Sequence, residues 1–96
     1  MKVDIVLPSL NEEEALGQLI DEIKQNTTSR IVLVDGYSKD TTVQIAMEKN
    51  VQVLFQQGKG KAGAIVTAIK RLDCDYILVM DSDYSYDPKD IWKLID

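Results

Sequence analysis

Histidine does not occur in this chain. Its absence removes His-based zinc sites, Ser-His and Cys-His nucleophile pairs, and imidazole acid–base chemistry. Cysteine occurs once, as Cys74, so no internal disulfide can form and a reducing compartment is compatible. No apolar run approaches the roughly 20 residues that a membrane-spanning helix needs. Met1 leads straight into a strand pattern, without the basic and apolar regions of a secretory signal. A cytoplasmic location is therefore expected, peripheral to the membrane in a full-length form. Cations are in the minority: 11 Lys and Arg stand against 16 Asp and Glu, a formal net charge of −5. That balance argues against nucleic acid as the main partner. Any metal must be held by oxygens.

What is present starts with Tyr76-Ile-Leu-Val-Met-Asp-Ser-Asp83, an apolar run that ends in two carboxylates. The run fits a buried parallel strand. Residues two apart in an extended backbone point to the same side, so Asp81 and Asp83 converge at the strand's carboxyl end. Like charges that close repel unless a cation joins them. A hard divalent ion, Mg²⁺ or Mn²⁺, that itself holds a phosphorylated ligand is the natural partner.

With 96 residues, 45% of them hydrophobic, the chain can build one small globular domain. Strand and helix periodicities alternate along it. Residues 2–7 read as a strand stopped by Pro8. Asn11, with Glu14 three residues on, reads as a capping box for a helix carrying Leu16, Leu19, Ile20 and Ile23. Residues 30–34 form a second strand, broken by Asp35-Gly36. Ser38 or Asp40 caps a second helix that runs to about Lys49. Residues 51–55 form a third strand, Gly58 and Gly60 a loop, residues 61–71 a third helix and residues 76–80 a fourth strand. Asp87-Pro88 opens a final helix. This β-α-β-α-β-α-β-α order predicts a parallel sheet in a three-layer αβα, Rossmann-like α/β fold. The pattern stops soon after the last helix begins, so a piece of something longer is expected. An exposed edge strand in such a sheet would favour a homodimer.

In open parallel sheets, ligands bind beyond the carboxyl ends of the strands where strand order reverses. With the order 3-2-1-4 that point lies between the first and fourth strands. Residues 8–12, Asp35, residues 56–61 and Asp81 to Asp83 all fall at such ends. Each also has a plainer reading. Asp35-Gly36 suits a turn, and Asn11 and Glu14 suit a helix start. The Gly58-Lys-Gly-Lys-Ala-Gly63 segment lacks the spacing of a P-loop. It is then either a solvated loop or a helix start that turns Lys61 toward a diphosphate.

Taken in order, these segments resemble the nucleotide-binding half of the GT-A-fold glycosyltransferases of family 2. Within that family they are most like the polyprenyl-phosphate (dolichol-phosphate) mannosyl- and glucosyltransferases. Leu7-Pro8-Ser9-Leu10-Asn11-Glu12 resembles the opening Pro-x-x-Asn-Glu motif. Val34-Asp35 with Ser38, Asp40 and Thr42 resembles the second motif. Asp81-Ser82-Asp83 stands where the family carries D-x-D, with Pro88 beyond. A lone D-x-D is common; as the last of three ordered motifs it is specific. The chain departs at Leu10, where the family often has an aromatic residue, and at Gly36-Tyr37, which replace an Asp-Gly.

The resemblance implies that residues 1–96 are the sugar-nucleotide-binding half of a hexosyltransferase. Pro8, Asn11 and Glu12 would lie near the nucleoside, Asp35 would bond the base, and Lys61 would meet phosphate. Asp81 would approach ribose and metal, and Asp83 would bind the metal. The implied donor is a UDP- or GDP-hexose and the implied acceptor a polyprenyl phosphate. The catalytic base of inverting members comes from a region beyond this segment, so none is assigned. A haloacid-dehalogenase-type phosphatase shares the look of Asp81-Ser82-Asp83-Tyr84-Ser85, but there the motif closes the first strand. A receiver-like domain needs acids after its first strand, where this chain has Pro-Ser-Leu-Asn. The remaining alternative is a non-catalytic nucleotide-binding or structural fragment of the same fold.

Overall fold

The structure, a computed structural model, describes residues 2–81. Its elements are β1 (Val3–Ser9), α1 (Glu13–Asn26), β2 (Arg30–Asp35), α2 (Thr42–Glu48), β3 (Gln52–Phe55), α3 (Gly60–Arg71) and β4 (Tyr76–Val79). The final helix read from Asp87-Pro88 lies outside the described residues, as do Asp83, Tyr84, Tyr86 and Trp92.

All pairings are parallel, as the alternation of elements predicts, and the sheet order is β3-β2-β1-β4, the order on which the switch-point reading rested. Strand alternation splits the core in two. Ile5 and Leu7 of β1 and Ile31 and Leu33 of β2 join Leu16, Leu19, Ile20 and Ile23 of α1 and Ala46 of α2. Val6, Val32 and Val34 turn the other way and meet Ala64 and Ala68 of α3. Helices therefore cover both faces, which is why β1 and β2 carry unbroken apolar runs.

Three local expectations are corrected. Pro8 does not stop β1, which continues through it in register with Val34. The Met80 N–H donates to the Val6 carbonyl, so the backbone of Val6, and by alternation that of Pro8, faces β4. Pairing with β4 reaches only Val79, so the N–H that proline lacks falls where the ladder ends. Asn11 does not cap α1. The cap position is Glu12, with no side-chain cap bond, and Asn11 sits in the left-handed region at φ 54°. Finally, the fourth strand is not a fully buried one. Among the described residues β4 is an edge, with Tyr76 exposed and Ile77, Leu78 and Val79 half-buried.

At the amino end of the sheet, the register partners Asp4 and Arg30 form an ion pair. Arg30 Nε donates to Asp4 Oδ1 at 3.1 Å, and Nη2 donates to Oδ2. Asp4 is fully buried. Burial alone would raise its pKa, but the hydrogen bonds from Arg30 and Cys74 outweigh that and hold the carboxyl below the ordinary carboxylate range. The same burial and the bond to Asp4 push the Cys74 thiol up.

Candidate active site

The carboxyl ends of the strands carry a loop system tied together by side chains. Asp35 closes β2 with no exposed surface. Its Oδ2 accepts the Ser38 N–H at 2.8 Å and its Oδ1 accepts the Ser38 hydroxyl at 2.6 Å. This is a local Asx-type turn. A carboxylate has about four acceptor positions, so these two bonds leave it further capacity. Ser38 Oγ in turn accepts the Asn11 N–H at 2.8 Å, and Asn11 Oδ1 accepts the Lys39 N–H at 2.8 Å. Thr42 Oγ1 accepts the Glu12 N–H at 2.9 Å, and Asp40 Oδ2 accepts the Glu13 N–H at 3.2 Å. Glu13 Oε2 reciprocates by accepting from Thr41 Oγ1 at 2.7 Å. The Glu12 and Glu13 N–H groups at the start of α1 are thus held by Thr42 and Asp40, from the start of α2 and the loop before it. Asp40 also accepts the Thr42 N–H at 2.9 Å. Its pKa lies below the ordinary value because the Thr42 and Glu13 bonds outweigh the burial that would raise it.

Beside this system opens a cleft of about 450 Å³. Pro8, Ser9 and Leu10 from the exit of β1 line one side, with Gly36 and Tyr37 from the exit of β2. Gln56 and the Gly58–Lys61 segment line another, and Asp81 from the exit of β4 completes the rim. The cleft lies where strand order reverses, between β1 and β4.

The glycine segment is built tightly. Gly58 and Gly60 have φ of 86° and 65°, a region that glycine adopts without steric cost. Gln56 Nε2 donates to the carbonyls of both at 3.2 Å. The Thr67 hydroxyl accepts the Gln57 N–H at 2.8 Å and donates to the Gly63 carbonyl at 2.8 Å. A Cβ at Gly63 would stand 2.9 Å from the Gly58 carbonyl carbon and 3.0 Å from the Gln57 oxygen. Only glycine lets the first turn of α3 lie this close to the loop that follows β3. The helix starts beside the cleft with no acidic residue in its first turn, so its N-terminal dipole favours an anion. Lys61 Nζ lies 2.5 Å from Asp81 Oδ1, and this pair bridges the glycine segment to the end of β4.

The sequence-derived candidates therefore fall into three places. Pro8, Lys61 and Asp81 meet on the cleft. Asp35 sits at the end of β2, behind Gly36 and Tyr37, and anchors their loop through Ser38. Asn11 and Glu12 line a neighbouring hollow with Glu13, Glu14 and Asp40. Asp83 lies outside the described residues. Ser9, Tyr37, Gln56 and Lys59 line the cleft too, although the sequence reading gave them no role. The one signal for Tyr37 was its odd position after Asp35-Gly36. Gln56 was marked only by its place at the end of the third strand, because the targets of its side chain are backbone carbonyls.

The donor set fits a hard cation only in part of its shell. Asp81 offers a carboxylate that is 34% exposed at the rim. Among the described residues, no group of three or more His, Cys, Asp or Glu gathers to enclose an ion. Mg²⁺-type ions are commonly held by one or two carboxylates, with phosphates and water completing the shell. The rim suits that arrangement.

Comparison with known proteins agrees with this geometry. The chain is 30% identical over 95 residues to glycosyltransferase AglJ of Haloferax volcanii, a match that takes in 98% of this chain and 31% of AglJ. It is 36% identical over 104 residues to dolichol-phosphate mannosyltransferase of Pyrococcus furiosus, covering 100% of this chain and 30% of that enzyme. The chain thus spans under a third of the length of either relative. Among solved structures, glucosyl-3-phosphoglycerate synthase from Mycobacterium tuberculosis, in complex with Mn²⁺, UDP and glucosyl-3-phosphoglycerate, superposes with a TM-score of 0.86. That match covers 98% of this chain and 38% of the synthase at 24% identity. At such identity the likeness speaks for the fold, which is that of the GT-A glycosyltransferases. The family described as Glycosyl transferase family 2 matches residues 4–96, and the chain belongs to it.

Proposed function

We infer that this chain is the donor-binding part of a hexosyltransferase, taking a nucleoside-diphosphate hexose together with Mg²⁺ or Mn²⁺. The observation that carries the reading is the cleft at the β1–β4 switch point, whose walls and rim bring together Pro8, Lys61 and Asp81. The nucleoside would lie over the β1 and β2 exits, with Asp35 and the Asn11–Glu12 turn holding that end. The diphosphate would lie toward the start of α3, where Lys61 and the helix dipole favour negative charge. Asp81, with Asp83 beyond it, would hold the cation, whose chemistry is to neutralise the departing diphosphate as a Lewis acid. The chain's own residues bind and orient the donor; the acceptor and the proton acceptor belong to a part of the enzyme beyond this segment.

Two relatives support the finer reading. The Pyrococcus enzyme is a dolichol-phosphate mannosyltransferase, which favours a polyprenyl-phosphate acceptor and a mannosyl donor. The mycobacterial synthase was solved with UDP and Mn²⁺, which favours UDP and manganese. Thermal unfolding with UDP- and GDP-hexoses, each with and without Mn²⁺, tests the proposal. Ligand at about 100 times its Kd stabilises by ~2.7 kcal/mol, a rise of roughly 10 °C or more for a domain of this size. The reading requires such a rise for at least one nucleotide and requires it to depend on metal. A flat response in both series would leave only a structural fragment of the fold.

A further inference from the structure

Among the described residues, Tyr37 is the aromatic side chain that lines the cleft. It is also a backbone outlier, with φ at 67°. Bulky residues enter that region at a cost and remain there only when their surroundings over-determine it; such outliers cluster at ligand sites. The surroundings here are specific. The Tyr37 ring stacks on Phe55 with centroids 5.8 Å apart and planes 23° from parallel. Its hydroxyl donates to the Gln56 carbonyl at 3.1 Å. The next residue is held by the Asp35 carboxylate through both its N–H and its hydroxyl. Yet these supports leave much of both residues open: Tyr37 is 63% exposed and Phe55 48% exposed. A ring held this firmly for the sake of the core would be covered. This one is held against Phe55, stays mostly open, and lines the same cleft as Lys61 and Asp81.

A cleft that carries both a flat aromatic face and a cation beside a helix start has the chemistry to take both parts of a nucleoside diphosphate, the base and the phosphates. We propose that Tyr37 is the stacking platform for the donor's nucleobase and that it sets base affinity in this chain. The inference rests on the donor-binding reading above. Base–aromatic stacking depends on ring overlap, so it adds affinity for any base and none for a bare diphosphate.

The test is equilibrium binding of UDP, GDP and inorganic pyrophosphate, each with Mn²⁺, to the 96-residue chain and to its Tyr37→Gly and Tyr37→Phe variants. Glycine adopts a positive φ freely, so Tyr37→Gly should unfold at or above the parent's temperature. It should bind both nucleotides roughly 5- to 100-fold more weakly and pyrophosphate unchanged. Tyr37→Phe keeps the ring and should stay within about threefold of the parent. Parent-like nucleotide binding by Tyr37→Gly would overturn the inference while leaving the donor site intact. An equal loss for pyrophosphate and nucleotides would overturn it as well, by showing that the residue merely shapes the loop. If the parent chain binds pyrophosphate and no nucleotide, both the inference and the donor reading fall.

Discussion

Gly63 shows how one hydrogen atom in place of a side chain shapes the site. The Gly58 carbonyl carbon and the Gln57 oxygen occupy the space that a Cβ would need. Neither is the movable end of a side chain, so Gly63→Ala must push the helix start away from the loop that follows β3. A loss of about 1–3 kcal/mol is expected, the usual range for overpacking, read as a lower urea midpoint with unchanged slope. The sequence showed the glycines of this segment. It did not show which glycine bears the steric load, because that depends on how the loop folds back against the first turn of α3.

At the scale of elements, Asp40 and Thr42 hold the start of α1, and Glu13 of α1 accepts the Thr41 N–H in return. Asn11 reads in sequence as a helix cap, since Asn followed three residues later by Glu is a local signature. Tertiary contacts overrule it: both donors and acceptors near Asn11 are met by Ser38 and Lys39. Asn11→Gly keeps access to the positive φ and removes the Oδ1 acceptor. It should cost about 0.5–1.5 kcal/mol and should loosen the turn around Lys39, seen as faster amide exchange there. At the other end of the sheet, Asp4 and Arg30 join β1 to β2 by a cross-strand ion pair. Because the Asp4 carboxyl titrates below its ordinary range in the fold, the unfolded chain binds that proton more readily. Its contribution to stability is complete above about pH 4, the unfolded carboxylate value, and is lost as pH falls through the folded value. Arg30→Met should cost about 1–3 kcal/mol at pH 7. The low end is favoured because the Arg30 side chain is 39% exposed and water screens the pair. The acid-side decline of stability should flatten in that variant, which unfolding curves between pH 3 and pH 7 would register.

For the whole molecule, the alternation of periodicities was enough to predict a parallel sheet with helices on both faces, while the order β3-β2-β1-β4, and with it the switch point, was the order assumed for such a fold. The apolar runs of β1 and β2 fit a doubly covered sheet. The same rule misread β4, whose apolar run lies on an edge among the described residues. An apolar strand tells that something covers it, not which element does. Of the candidate site, the residues at strand ends, Gln56 among them, were legible because topology alone places them. The roles of Gln56 and Tyr37 were not, because they come from the path of the chain after the strands end.

The central claim is spatial: a cation and a nucleoside diphosphate lodge together between the exits of β1 and β4. Paramagnetic broadening by Mn²⁺ in the presence of UDP, followed residue by residue in amide NMR spectra of the full chain, tests it most directly. The account predicts that Leu10, Gly60, Lys61 and Asp81 broaden first, that Lys24, Thr28 and Asp75 at the opposite end stay sharp, and that Asp81→Asn weakens the effect at least tenfold. Broadening centred on the amino end of the sheet, or spread evenly over the acidic surface and indifferent to Asp81→Asn, would contradict it.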